Sequence, residues 1–448
     1  MANPGSHRRA LAARIQTVCI ALAVGACQSG VATDDRSAAS GASAPITPEK
    51  PAPPQTASTQ APPRAQTTPP AVTPPGVGEL PPALPQRSIG VWQPADWLAG
   101  AERVAVLRVG DTPYIAAAGT GFLRVFTADG RQVATAEDRG AAQVLTALGS
   151  DADRATLAIG RGISRHDRTA PMSASLYHFD GRSLTREPIA LTPGSRAQVV
   201  FIGNPGQAAT GRAIETLWVA AFESKYMAGL LRARRGENGF RTEVVDRIRV
   251  PLDMALGALD ESGERPLYVA RPYGDVKDLP GDVYRFRGAG ARDPLPTTRG
   301  ARAVIAHGRE VIAADGWHKD YGRRANALLT RFVPDGDGWR SQILAHVAGR
   351  HGYNRLQLGH VDGDEHIDLI AAGNGPAVLI AGLEPVQRDV PTLGTVEARD
   401  IAVGDLARSG ARSQATSGAR ARATPDTRSR RQQVVIAGPT PGIWRLDD

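Results

Sequence analysis

The chain has 448 residues, 42% of them apolar, with 49 Gly and 34 Pro but only 2 Cys and 4 Met, and a formal charge of +8. Frequent Gly and Pro around short runs of Val, Ile, Leu and Ala exclude a helical bundle and favour many short strands joined by turns. Two cysteines exclude a disulfide framework or a thiolate-rich metal cluster.

The first 26 residues read as an export signal. Arg8, Arg9 and Arg14 form a basic region, and the apolar run that follows from Val18 is shorter than the roughly 20 residues a spanning helix needs. The run ends at Val24, Gly25, Ala26 and Cys27. This order resembles a bacterial lipoprotein signal, which implies cleavage before Cys27, lipidation of Cys27 and anchoring in a membrane. With Gln28 rather than Asp next, the resemblance implies the outer membrane of a two-membrane envelope. Cys19 would leave with the signal, so no thiol would remain for disulfide, zinc or nucleophilic chemistry.

Residues 27–87 are Ala, Thr, Ser, Gln and Pro, with the pairs Pro53 and Pro54, Pro62 and Pro63, Pro69 and Pro70, Pro74 and Pro75, Pro81 and Pro82. Such a composition buries too little apolar surface to offset its ordering entropy and favours extended polyproline II. The expectation is a disordered, semi-rigid tether, able at about 3.1 Å per residue to hold a domain on the order of 100 Å from a membrane.

From residue 88 to residue 448 the chain repeats, predicting one all-β domain. The units span 104–136, 144–189, 197–245, 254–286, 303–344, 356–386 and 400–446. Each reads as strands around a Gly-containing hairpin, such as Asp129 and Gly130, Asp180 and Gly181, or Asn238 and Gly239. Four strands in about 40 to 55 residues is the signature of a propeller blade, and seven units predict seven blades. The last unit lacks a fourth strand, while residues 88–92 form an orphan strand ahead of the first. Pairing the two would close the ring and remove both sheet edges. The rival architecture is two stacked β-sandwiches.

Between the first two strands of the sixth unit, His360, Asp362, Asp364 and Asp368 occupy positions 1, 3, 5 and 9 of a loop. Alternating carboxylates in a tight loop point hard oxygen ligands inward, as Ca²⁺ requires. The loop resembles the metal-binding loop of FG-GAP or VCBS repeats, whose seven-bladed form occurs in integrin α-chain heads. The resemblance implies one Ca²⁺ at these four residues. His360 stands where the family has Asp, and Glu365 where it has Gly. The other units keep only fragments, such as Asp260, Asp405, or Asp151 with Asp153.

Basic charge at first suggests nucleic acid. Three of the +8 charges belong to the signal, however, and an insert at 408–431 carries seven Arg against the single acid Asp426, so the ring itself is close to neutral. No basic stripe remains for phosphates, which argues against a nucleic-acid partner. The insert has no apolar periodicity and is predicted to be a flexible loop.

Loops joining second to third strands share one face and carry the chemistry. Arg161, Arg165, His166 and Asp167 lie in the second unit, and Glu223, Lys225 and Tyr226 in the third. Arg271, Tyr273, Asp275 and Lys277 lie in the fourth, and Trp317, His318, Lys319, Asp320 and Tyr321 in the fifth. Arg271, Tyr273, Trp317, His318 and Tyr321 are the candidate ligand-binding set, because flat rings supply contact area at low entropy cost while charges orient a ligand. Two functions fit. One is a lipid-anchored binding or scaffold module for a glycan or an envelope protein. The other is a polysaccharide lyase, in which Tyr or His would abstract the proton α to a uronate and Arg or Lys would neutralise its carboxylate. No paired acid and base, nucleophile elbow or P-loop appears, so the residues favour binding over catalysis.

Overall fold

The computed structural model describes residues 82–163, 172–191, 199–202, 214–224, 226–259, 265–275, 281–288, 291–296, 300–315, 327–347, 352–373, 375–406 and 431–446. The signal segment, Cys27, nearly all of the tether and residues 408–430 of the insert lie outside this set. Among the described residues, strands account for nearly all regular structure.

In chain order, β1 (Gln86–Ile89) and β2 (Val91–Pro94) precede a succession of antiparallel meanders. The first is β3 (Arg103–Val109), β4 (Thr112–Gly119), β5 (Phe122–Thr127) and β6 (Gln132–Glu137). The second is β7 (Ala141–Ser150), β8 (Ala155–Gly162), β9 (Ser173–Phe179) and β10 (Leu184–Ile189). The third is β11 (Val199–Ile202), β12 (Thr216–Phe222), β13 (Met227–Gly236) and β14 (Gly239–Arg249), joined to the second by one parallel pairing, Ile189 with Phe240. Next come β15 (Asp253–Leu256), β16 (Leu267–Ala270), β17 (Val283–Phe286) and β18 (Arg292–Pro294), then β19 (Ala303–His307), β20 (Glu310–Asp315), β21 (Ala327–Asp335) and β22 (Gly338–Val347). The sixth is β23 (Tyr353–Gly359), β24 (Asp368–Gly373), β25 (Gly375–Ile380) and β26 (Val390–Leu393). The last has β27 (Asp400–Gly404), β28 (Gln433–Ala437) and β29 (Gly442–Arg445) from its own stretch of chain, and takes β2 as its fourth strand.

Packing arranges these sheets radially. Each hydrophobic core lies between two consecutive meanders. Val144, Leu176 and Phe240 join the second to the third, and Tyr284, Phe286 and Leu230 join the third to the fourth. The same pattern returns to its start, where Ala402, Leu406 and Val435 of the last meander pack on Val104, Ile115 and Phe126 of the first. First strands pack in the same cycle, β3 on β7 and onward to β27, which packs on β3. This is a β-propeller arrangement. Sheets covered on both faces need continuous apolar strands, and small residues let neighbouring sheets pack closely. Hence Ala116, Ala117 and Ala118 in β4, Ala220 and Ala221 in β12, and Ala371 and Ala372 in β24 are all buried.

The predicted orphan strand is real but is broken in two. Gly90, at φ +70°, turns the chain. β2 then pairs antiparallel with β29, Trp92 opposite Trp444, while β1 runs parallel to β26 on the outer edge of the sixth sheet. Two outer strands also extend the predicted units, β18 beyond residue 286 and β26 beyond residue 386. Both are three or four residues long and follow Gly- or Pro-containing connections that mask their period.

The junction of β2 and β29 is interlocked. Trp444 is fully buried, and its indole N–H donates to the Ile89 carbonyl at 2.7 Å. A Cβ on Gly90 would collide with the Trp444 ring, and one on Gly442 with the Trp92 ring. Replacing a buried Trp by Ala typically costs about 3–5 kcal/mol. Trp444→Ala is therefore expected to lower urea-unfolding stability by that amount, whereas truncating the exposed neighbour Arg445 should change it by less than about 0.5 kcal/mol.

Candidate functional site

The acidic loop forms as the spacing implies. Asp368 opens β24 with its side chain buried, and its carboxylate accepts the N–H groups of Val361 at 2.7 Å, Asp362 at 3.2 Å and Gly382 at 3.1 Å. Gly363, at φ +88°, lets the chain turn back. Asp362 accepts the Asp364 N–H at 3.0 Å, and Asp364 accepts the His366 N–H at 2.7 Å. One oxygen from each of Asp362, Asp364 and Asp368 lies within 4.8 Å of the other two.

Burial pushes the Asp362 carboxyl above its ordinary range, with Asp368 and Asp364 adding like charge. The His366 N–H holds Asp364 below its own range. Three hard oxygen donors at this separation fit a divalent cation. His360 does not converge with them. Its Nδ1 faces the His366 carbonyl at 2.8 Å, and its main-chain N–H donates to Gln432 at 2.9 Å. Arg431 is the last residue of the insert and Gln432 follows it, and the Arg431 side chain lies against Gly363. The chain thus brings its own cation beside the acidic triad.

The opposite end of the ring is reached after each second strand and each fourth. There Arg161, at the end of β8, is completely buried. It donates to the carbonyls of Gly119 at 2.8 Å, Gly140 at 2.9 Å and Phe122 at 2.7 Å, and pairs with Asp138 at 3.1 Å. Arg161 is a staple between the first and second meanders. Arg271 is likewise turned inward: it forks onto Asp282 at 2.8 and 3.0 Å, reaches Asp275 at 2.7 Å, and lies over the Tyr284 ring at 5.0 Å. Burial opposes its charge, but Asp282 and Asp275 more than offset this and raise its pKa. With its donors engaged by neighbours, Arg271 supports the face rather than presenting itself on it.

Two tyrosines lie in loops on this end of the ring. Tyr226 is 46% exposed, and Tyr273 is half-buried. Burial raises the Tyr273 pKa, with Tyr226 and Arg302 both within electrostatic reach. Tyr226 and Arg302 belong to the meanders on either side of the one that carries Tyr273. Trp317, His318 and Tyr321 lie outside the described residues, as do Arg165, His166, Asp167, Lys225, Lys277, Lys319 and Asp320.

A second polar cluster was not anticipated from the sequence. At the starts of the inner strands, Arg103 donates to the Gln143 carbonyl at 2.7 Å, and Arg355 reaches the same carbonyl at 3.1 Å. Arg355 also pairs with Asp400 at 3.0 Å and with Asp253 at 3.9 Å. Asp400 accepts the Val104 N–H at 2.9 Å, and Asp253 the Val304 N–H at 3.1 Å. These bonds tie β3, β7, β15, β19, β23 and β27 around the axis. Burial pushes the Asp253 carboxyl up to about 6, although Arg355 and the main-chain donors pull it down. Burial also brings Arg103 down to about 10.

No family model matches the sequence, and no curated protein matches it. Similar solved structures include BBS1N in complex with ARL6DN, soaked with lead or with mercury. Each is 13% identical over 80% of this chain and 98% of that one, with a TM-score of 0.47. A chain of the Mitotic Checkpoint Complex is 12% identical over 66% of this chain and 95% of that one, with a TM-score of 0.36.

The axial cluster makes stability depend on pH. Because the folded-state pKa of Asp253 lies above the unfolded value, its contribution is fully present below about pH 4 and is lost as pH rises through about 6. Asp253→Asn removes this titration. The stability of the variant relative to the parent should therefore rise between pH 4 and pH 7, by up to about 2 kcal/mol in urea titrations. A difference that stays constant across this range would contradict the assignment.

Proposed function

We propose that the protein is a lipid-anchored, seven-bladed β-propeller that acts as a binding or scaffold module in the cell envelope, with its partner on the face that carries Tyr226 and Tyr273. The observation that carries this reading is the construction of that face. Tyr226 and Arg302, from the meanders on either side, lie within electrostatic reach of Tyr273, and side chains of the same region are braced by paired charges, Arg271 with Asp275 and Asp282, and Arg292 with Asp246. Amphipathic rings carried on loops braced by paired charges suit a recognition surface, since the rings bring contact area with little entropy to lose. Trp317, His318 and Tyr321 belong to the next loop in the same series and complete the proposed surface. A protein of the envelope, or a glycan presented there, suits aromatic contacts flanked by guanidinium groups. Cys27 is the proposed site of lipid attachment, with residues 27–87 as the tether and residues 408–431 as an insert between β27 and β28.

The test is capture by cross-linking in the native envelope. Tyr226→Ala with Tyr273→Ala should reduce capture at least tenfold while the melting temperature moves by less than a few degrees, because loss of an anchoring aromatic costs about 2 kcal/mol. Cys27→Ser should release the protein from membranes or block its processing. Partner capture that survives the double tyrosine variant would defeat this reading of the face.

One Ca²⁺ is proposed at Asp362, Asp364 and Asp368, where a divalent cation would offset the mutual repulsion of the carboxylates. Titration calorimetry should find no more than one strong site, abolished by Asp364→Ala and tightened by Arg431→Ala, which removes the competing guanidinium. Two or more strong sites, or one indifferent to Asp364, would exclude the assignment.

A further inference from the structure

The near-neutral charge of the ring hides a local excess on the third meander. β13 and β14 pair antiparallel with Arg234 directly opposite Arg241 and Arg232 directly opposite Glu243. Along the other edge of β13, Thr216 of β12 stands opposite Arg234, and Trp218 opposite Arg232. Directly opposed residues share a face of the sheet, so Thr216, Arg234 and Arg241 form one row across three strands, and Trp218, Arg232 and Glu243 form the next. Trp218 meets Phe286 of β17 with ring centroids 5.9 Å apart, which turns this face toward the fourth meander. The strands of that meander are three or four residues long, against ten in β13 and eleven in β14. Near the hairpin the face is open: the Arg234 side chain is 60% exposed, and Arg241 is exposed as well.

The charges on this face do not balance. Arg232 donates to Glu243 and lies over the Trp218 ring at 5.9 Å, while Arg234 reaches the same carboxylate only at 4.0 Å. Arg241 has no acidic partner among the described residues. Arg235 points to the other face and is answered there by Glu187 at 2.7 and 2.9 Å. Three guanidinium groups on one face thus share one carboxylate, and Glu237 adds an exposed acid at the rim, in the hairpin turn. Like charges directly opposite each other on neighbouring strands destabilise a sheet, and a sequence that breaks a local rule of this kind tends to do so at a functional site. The arginines line a groove of about 460 Å³ together with Gly236, Glu237, Thr242 and Glu243. That volume falls within the range of about 300 to 1,000 Å³ found for small-ligand sites.

We propose that this groove binds a phosphate monoester, held between Arg234 and Arg241. At neutral pH such a group brings about 1.5 to 2 negative charges and three acceptor oxygens, which matches two unanswered guanidinium groups. Each planar guanidinium can direct two parallel N–H donors at a pair of those oxygens, whereas a carboxylate would answer only one of the two charges. Arg232, held by Glu243 and Trp218, is the positioned wall of the groove. The hairpin of β13 and β14 lies at the end of the ring opposite Tyr226 and Tyr273, so this site is separate from the proposed partner face and can be filled at the same time.

The test is calorimetry on the full-length protein with glycerol 3-phosphate, in low-salt buffer at neutral pH. One site is expected, weakened at least tenfold by Arg241→Gln and by Arg234→Gln, and acetate should bind at least tenfold more weakly than the phosphate. Dihexanoyl phosphatidic acid separates two sources of the same chemistry: affinity at least tenfold above that of glycerol 3-phosphate assigns the monoester to a lipid headgroup, and equal affinity to a soluble phosphoester. Thermal melting supplies a second readout. Without phosphate, Arg241→Gln should raise the melting temperature by about a degree or more, because it relieves the opposed like charges. An arginine kept for structural reasons would lower it when replaced. The proposal is overturned if glycerol 3-phosphate does not bind, if its binding is indifferent to both variants, if acetate binds equally well, or if Arg241→Gln fails to raise the melting temperature.

Discussion

The structure depends on the pairing of β2 with β29. Every sheet is apolar on both faces, so none is satisfied until it has a neighbour on each side, and only a closed circuit provides that for all of them. Closure is made by two tryptophans interleaved with two glycines. Trp444 occupies the space that a side chain on Gly90 would need, and Trp92 the space beside Gly442. Each glycine also serves the backbone or the ladder at that point: Gly90 by its positive φ, and Gly442 by opening β29. Because residues from opposite ends of the chain share one sheet, the first and last meanders cannot be lost independently.

Inside that circuit the polar groups obey a second rule. Charges near the axis cannot be left alone, because an unpaired buried ion costs several kcal/mol. Arg103, Arg355, Asp253 and Asp400 therefore form bonds that run from strand to strand around the axis, and their remaining valences go to main-chain groups. Arg161 and Arg271 do the same further out, tying one meander to the next or one loop to its own floor. The loops above them start from fixed points, which is why two tyrosines from different meanders can share one electrostatic neighbourhood.

Much of this was readable in the sequence, and the remainder failed for identifiable reasons. Hairpins were plain where Gly130, Gly181 and Gly239 adopt positive φ, since few residues other than Gly or Asn fit there. The acidic loop was plain because its spacing carries its own geometry. Strands of three or four residues such as β18 and β26 have too few positions to show a period. Arg161 and Arg271 were misread because an arginine at the end of a strand has the same sequence signature whether its guanidinium turns out to solvent or back onto carbonyls and acids. The axial cluster had a signal: Arg103, Asp253 and Asp400 are each the first residue of an otherwise largely apolar inner strand. A charged residue recurring at that register suggests a shared environment, but only the ring geometry shows that these positions face one another.

The split at Gly90 also has a mechanical side. Tension applied to the chain ahead of Leu84 is met by that residue's bridge to Val347 and then by β1, which lies parallel to β26 and is loaded in shear along its hydrogen bonds. The seam that closes the ring begins only beyond Gly90. β1 thus acts as a strain relief, in the way a cable is clamped before its plug, and the seam would feel the load only after β1 had peeled from the sixth sheet.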